Sequence, residues 1–257
     1  MNSELIIRYK MKSFVMDIPG GSMGMIYGVL TLPECDGPVP LVILSHGFGS
    51  SHEANMDYAE AFADAGFAAI SFDFCGGGLH SRSAGSMDEM TVLTEAEDLI
   101  TVLKYAEEDP RFSEIYLWGE SQGGFVSAYV AGMYPEAVTK LAFLYPAFVL
   151  QEDAKRRRCE DGSFPERTPF GECFVTRKYN EAAVSFDIYE VMRRFEKPVL
   201  ILHGDQDPVV PLRYSERAAQ TFPDAKLTVL PEQGHGFAWQ GREDAKKMAV
   251  EFFSYSE

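Results

Sequence analysis

Five short, almost unbroken apolar runs, each stopping at small or polar residues and giving way to a helical stretch, constrain this chain most. They are "PLVILS" (40–45), "FAAISFDF" (67–74), "EIYLW" (114–118), "VTKLAFLYP" (138–146) and "PVLILHG" (198–204). Runs this short, without polar alternation, read as strands buried on both faces. Helical patterns separate them. "HEANMDYAEAFADAG" closes at Gly66, and "MTVLTEAEDLITVLKYAEED" is stopped by Pro110. "PLRYSERAAQTF", the strand "AKLTVL" and a helix from about Glu243 to Ser254 complete the alternation. The expected class is α/β, with a mostly parallel central sheet and helices on both faces. Ahead of it, "LIIRYKMKSFVMDI" and "GMIYGVLTLP" bracket the turn "PGGSMG", as in an antiparallel hairpin.

Composition narrows the partners. The 257 residues, 46% of them hydrophobic, suit a single domain spanning 1–257 with a sizeable core. A net charge of −16 argues against nucleic acid and against an anionic membrane surface as partners. "MNSELIIRYKMKS" has no apolar core of signal-peptide length, and no apolar run approaches the roughly 18 residues of a membrane span. Cys35, Cys75, Cys159 and Cys173 form no C-x-x-C pair, so neither a disulfide framework nor a zinc site is expected. The expectation is a soluble cytoplasmic protein acting on a small molecule without metal or cofactor; a homodimer is compatible with it.

One turn carries chemistry. In "LWGESQGGFV" (117–126) a serine sits between two glycines, after a strand and before the helical "FVSAYVAGMY", where Phe125, Tyr129 and Met133 recur at a spacing of four. Gly119 and Gly123 fit G-x-S-x-G, which resembles the nucleophile elbow of the α/β-hydrolase fold. A strained turn there would expose the Ser121 hydroxyl, and a Cβ at either glycine would collide with the adjoining strand or helix. A glycine-softened turn that happens to hold a serine would look the same, so the partners decide.

Ligands of open α/β sheets bind at the carboxyl ends of the strands. Of the five histidines, His46 and His203 belong to strand-terminal "HG" pairs, His52 starts a helix and His80 ends the loop "CGGGLH". His235, in "PEQGHGF", follows the last strand and lies downstream of both the serine and an acid candidate, giving the order Ser–Asp–His. "ILHGDQDPVVP" offers two acids: Asp207, which can point back toward the His235 loop, and Asp205, placed to stabilise the turn. An oxyanion hole needs two backbone N–H groups, one just after the nucleophile and one from an early strand–helix loop. Gln122 and Phe48 of "SHGFGS" supply them. Residues from about Ala147 to Phe186 break the rhythm: polar, charged and without a clear period, they are too long for an ordinary connection. A cap over the strand ends is expected, with a surface loop as the plainer reading.

With these elements in order, the whole chain resembles the α/β-hydrolases, and more narrowly the bacterial cinnamoyl (feruloyl) esterases. The likeness rests on "LSHGFGS", "GESQGGFVSAYVAG", "LYPAFVLQEDA", "YNEAAVSFDIYEVMRRFEKPVLILHGDQDPVVP" and "GHGF". It implies a serine carboxylic-ester hydrolase with Ser121, Asp207 and His235 as the triad, and Asp153 and Tyr179 of the cap holding the phenolic end of the substrate. The chain departs from that pattern in Glu120, where relatives usually carry histidine, and in "CGGGLHS" in place of "GHGxS". The basic run Lys155–Arg158 reads as a solvated cap surface, or as a guide for an anionic substrate. An acyl-peptidase, a general short-chain esterase and a non-catalytic binding protein of the same fold are the rival readings.

Overall fold

Alternate residues along each central strand enter opposite cores, because successive side chains of a strand point to opposite faces. Leu41 and Ile43 pack on one face of the sheet, Val42 and Leu44 on the other. Leu117 and Trp118, Phe143 and Leu144, and Ile201 and Leu202 divide in the same way. With both faces buried, the strands need no polar alternation, which accounts for their unbroken apolar runs.

The computed structural model describes residues 10–255. The elements run β1 (Met11–Gly21), β2 (Gly24–Pro33), β3 (Val39–Ser45), α1 (Met56–Asp64), β4 (Ala68–Phe72), α2 (Val92–Glu107), β5 (Phe112–Glu120), α3 (Gln122–Met133) and β6 (Lys140–Leu144). After β6 come α4 (Leu150–Arg156), the strands β7 (Arg167–Phe170) and β8 (Cys173–Thr176), α5 (Arg177–Ala183) and α6 (Ile188–Met192). Then β9 (Val199–Gly204), α7 (Arg213–Thr221), β10 (Ala225–Leu230) and α8 (Trp239–Ser254) return to the sheet and finish the described chain. The eight-stranded sheet has the order β1-β2-β4-β3-β5-β6-β9-β10. Within this sheet only the β1–β2 and β2–β4 pairings are antiparallel; β4, β3, β5, β6, β9 and β10 run parallel. The expected N-terminal hairpin is present, although the start of its first run, Leu5 to Tyr9, lies outside the described residues.

Three expectations need correction. The last helix begins at Trp239, four residues before the expected start near Glu243. The Gln233 side chain accepts from the N–H of Ala238, the residue that caps α8, at 2.8 Å, holding the chain where the helix begins. Second, Phe125, Tyr129 and Met133, expected to share a helix face, do not mark a single buried side of α3. Nearly every residue from Gln122 to Gly132 is buried, and Met133 is 43% exposed. Third, most of the inserted segment is regular: α4, the β7–β8 hairpin and α5 lie between the paired strands β6 and β9. The helices and strands there are only four to seven residues long, too short to print a period.

On one face Phe62 of α1 packs against Trp118 at 5.7 Å and Phe253 at 5.6 Å between ring centroids. On the other, α2 buries two carboxylates. Asp98 accepts from the N–H groups of Ser22 and Cys75, each at 2.7 Å, tying the hairpin turn and the loop after β4 to the helix. Glu95, 1% exposed, accepts from Gln122 Nε2 at 2.8 Å. Burial drives the Glu95 carboxyl well above the usual carboxylate range; the Gln122 hydrogen bond opposes this and Asp98 adds to it.

Two outcomes follow for stability. Phe62→Ala should cost about 3–5 kcal/mol, since it empties an aromatic cluster that has no route to collapse; chemical denaturation would measure it. A carboxyl whose pKa is raised by folding opposes folding increasingly as pH climbs above its unfolded value, because only the unfolded chain ionises freely. Glu95→Gln should therefore gain on the wild type as pH rises from about 4 to about 8 in urea titrations. A gap that stays constant with pH would contradict this.

Candidate active site

β5 ends and α3 begins at a single residue. Ser121 occupies φ 50°, ψ −117°, a conformation that L side chains rarely adopt. Its N–H donates to Leu144 O at 3.0 Å, and its carbonyl accepts from Ala147 N at 2.8 Å, so β6 and the chain beyond hold the bend in place. A Cβ on Gly119 would sit 2.5 Å from Gly123 O, and one on Gly123 would sit 2.2 Å from Ser45 O. The glycines thus let α3 start hard against β5 and β3.

The two partners expected for Ser121 reach it from other loops. His235, on the turn between β10 and α8, places Nε2 3.0 Å from Ser121 Oγ. Its Nδ1 lies 2.8 Å from Asp207 Oδ2. A carboxylate only accepts, so the ring proton sits on Nδ1, and Nε2 is free to accept from the serine hydroxyl. Asp207 has no exposed side-chain surface. Burial alone would raise its pKa, but hydrogen bonds from His203, His235 and the Val210 N–H prevail and hold it well below the usual range. Asp205 turns away and accepts from Glu232 N at 2.7 Å, bracing the facing loop.

The loop after β3, which carries Phe48, abuts the elbow: a Cβ on Gly47 would meet Ser121 Cβ at 3.3 Å. Among the described residues, neither the Phe48 nor the Gln122 backbone N–H has an acceptor. Both residues line a cavity of about 730 Å³ whose floor holds Ser121 and His235.

Cap residues form the roof. Val149, Leu150, Phe170 and Val175 give it an apolar surface, and Phe170 meets the Phe48 ring edge-on at 5.4 Å. Asp153 lines the cavity with a carboxyl that partial burial raises above the usual range, against the pull of Arg157 and Arg156. Tyr179 also lines it but is 1% exposed, and its hydroxyl donates to Gln122 Oε1 at 2.5 Å. A relay Tyr179–Gln122–Glu95 thus joins the cap to α2 through the residue after the serine. The basic run divides. Lys155, Arg156 and Arg158 are exposed, whereas Arg157 lines the cavity and donates to Asn180 Oδ1 at 3.2 Å.

Sequence reasoning missed the wall formed by Glu120, Tyr145 and Arg242. Glu120, 7% exposed, accepts from Gly47 N at 3.3 Å and from the Tyr145 hydroxyl at 3.0 Å. Its carboxyl is raised by burial despite those bonds. Tyr145 packs its ring 4.6 Å from that of His235. Its position at the carboxyl end of β6 could have marked it, by the rule that marked Asp207. Arg242, held by Asp57 at 2.7 Å, lies a full turn inside α8, where nothing local signals a site. Among the described residues no group of three His, Cys, Asp or Glu is placed to bind a metal, and no helix is long and apolar enough to cross a membrane.

Comparison with known proteins agrees with this architecture. A family model described as serine aminopeptidase, S33, matches residues 36–163, and one described as the alpha/beta hydrolase fold matches 171–241. Est1E from Butyrivibrio proteoclasticus, solved with ferulic acid bound, superposes with a TM-score of 0.86 at 25% identity, covering 93% of this chain and 97% of that one. Non-heme chloroperoxidase CPO-A1 of Kitasatospora aureofaciens is 27% identical over 241 residues, 77% of this chain and 85% of its own length. A 31.7 kDa protein from the traX-finO intergenic region of Escherichia coli is 38% identical over 96 residues; the match spans 36% of this chain and only 32% of that relative. By sequence models and by structure alike, this chain belongs to the α/β-hydrolases.

Proposed function

We propose that the chain is a serine carboxylic-ester hydrolase acting on small esters of the hydroxycinnamate type. One observation carries the reading: Asp207, His235 and Ser121 form an unbroken hydrogen-bonded series, with the serine on the floor of an open cavity. A binding protein gains nothing from such a series, because its effect is to activate a nucleophile.

In this scheme His235 Nε2 removes the Ser121 proton as Oγ attacks the ester carbonyl. Asp207 holds the imidazole in the tautomer with the proton on Nδ1 and stabilises the imidazolium that forms. The Phe48 and Gln122 N–H groups receive the oxyanion, where one donor is commonly worth ~3 kcal/mol of barrier. His235 then protonates the departing alcohol; water, deprotonated by the same nitrogen, attacks the acyl carbonyl, and the proton returns to Ser121 Oγ as the acid leaves. The scheme needs no cofactor. The hydroxycinnamate assignment is supported by the apolar roof, by Asp153 as an acceptor for a phenolic hydroxyl and by the likeness to a protein solved with ferulic acid bound. A cytoplasmic location fits this reading. The serine aminopeptidase model lends the amide-cleaving alternative its support, and p-nitroanilides tested beside p-nitrophenyl esters would decide between them.

Ser121→Ala should lose at least about a thousandfold in kcat and all labelling by a fluorophosphonate probe, with its circular dichroism unchanged. Retention of a tenth of wild-type kcat would refute the assignment. Asp207→Asn should cost far more than Asp205→Asn, since only Asp207 sets the histidine tautomer; equal losses would show that the acid is misassigned.

The cap residues should separate on two esters. Asp153→Asn should lower kcat/KM for methyl ferulate and leave p-nitrophenyl acetate, too small to reach the roof, nearly unchanged. Tyr179→Phe should lower both, because its hydroxyl is engaged by Gln122 and not by the cavity. Loss on methyl ferulate alone would instead make Tyr179 a direct substrate contact.

A further inference from the structure

We propose that Arg242 forms a second subsite in the cavity, one that takes a carboxylate carried by the alcohol half of the ester. The proposal rests on the ester-hydrolase reading and deepens it: the preferred substrates are esters in which the departing alcohol is itself an anion.

The cavity wall has two sources. Cap residues between 149 and 179 supply the side that takes the acyl group in the proposed scheme, whereas Ala54, Glu120, Tyr145, Gly236 and Arg242 come from the core. His235 protonates the departing alcohol in that scheme, so the alcohol leaves on the His235 side. Tyr145 packs on that ring at 4.6 Å, Gly236 is its neighbour in the chain, and Arg242 follows in α8.

Three of the five guanidinium N–H groups are spent. Nε donates to Asp57 Oδ2 at 3.1 Å, and Nη2 donates to Asp57 Oδ1 at 2.7 Å and to Ala54 O at 2.9 Å. Among the described residues nothing accepts from Nη1, whose two N–H groups remain. The guanidinium also lies over the buried Tyr58 ring, 4.6 Å from its centroid. The fork to Asp57 and the ring together fix the plane of the group, so a ligand bound at Nη1 costs it little further freedom.

Charge favours a carboxylate there. Lys246 Nζ lies 2.8 Å from Asp57 Oδ2 and 2.8 Å from Glu243 Oε1, so two cations meet two carboxylates around Arg242. Of these four groups only Arg242 lines the cavity. Glu120, the carboxyl on the same wall, has one oxygen engaged by the Gly47 N–H and the other by the Tyr145 hydroxyl. The open polar edge of this wall is therefore a guanidinium, and a carboxylate meets it with a charge-assisted hydrogen bond roughly twice as strong as a neutral one.

Two ferulate esters of similar shape, the ester of glycolate and that of glycolamide, differ in this one charge. With each kcat/KM divided by the ester's rate of alkaline hydrolysis, the wild type should prefer the glycolate ester. Arg242→Gln should lower the ratio of the two values ~10- to 100-fold, as for loss of a hydrogen bond to a charged group. Arg242→Lys, cationic but without the fork, should retain part of the preference. Asp57→Asn breaks the same link between α1 and α8 and leaves the cation in place, so the preference should survive in it. An unchanged ratio in Arg242→Gln, or an equal fall in Asp57→Asn, would make Arg242 an anchor of α8 and overturn the proposal. Turnover of p-nitrophenyl acetate and labelling by a fluorophosphonate report separately on the nucleophile. Both present with no charge preference would strike the subsite and spare the hydrolase reading; both absent would remove the reading and the subsite with it.

Discussion

The bend at Ser121 is the constraint on which the rest of the site depends. A non-glycine residue at φ 50° is held there because three strands and a helix converge on it. Gly123 lets α3 lie against the end of β3, Gly119 lets it start against β5, and Leu144 of β6 accepts the serine N–H. Strain of this kind, of order 1–3 kcal/mol, persists only where the surroundings over-determine it. Here they do so with backbone atoms, which cannot relax as side chains would. The same convergence brings the loop after β3 and the helix N-terminus of α3 to one point.

Around that point the chain buries more polar chemistry than a hydrophobic core would tolerate without pairing. Glu95, Glu120, Asp98, His46 and His203 are all nearly or fully inaccessible, and each makes at least one hydrogen bond to backbone or to another buried side chain. The raised carboxyls of Glu95 and Glu120 show that this arrangement opposes folding near neutral pH. What it gains is geometry: Glu120 and His46 hold two successive peptides of the loop after β3, and Glu95 holds the side chain of Gln122. Buried polar groups that face one another admit few alternative arrangements, and the proposed hydrolysis, which has to hold a carbonyl in place, would use that uniqueness.

The cap is joined to this network and does not merely lie over it. Tyr179 of α5 reaches Gln122, and Phe170 of the β7–β8 hairpin packs on Phe48, so the roof touches both residues assigned to the oxyanion hole. A displacement of the cap would therefore be felt at the elbow as well as in the volume available to substrate. The apolar cap residues, with Asp153 and Arg157 lining the same cavity, are what the proposed ester, flat and mostly apolar with a polar end, would meet beside Ser121.

How much of this was legible in the sequence depends on the range of the forces involved. The strands, their mostly parallel arrangement and the elbow could be read locally, because double-sided burial leaves an unbroken apolar run and a Cβ-free turn demands glycine. Asp207 and His235 could be placed by chain order and strand ends, and the structure brings both to Ser121. The cap's helices and hairpin left no such trace, since elements of four to seven residues are too short to show a period and are stabilised by what they dock on. Glu95, Glu120, Arg242 and the ring of His46 were decided only by tertiary structure. A buried polar side chain takes its role from partners far away in the chain, Glu120 from Gly47 and Arg242 from Asp57 185 residues earlier, and no local pattern records which distant group will face it.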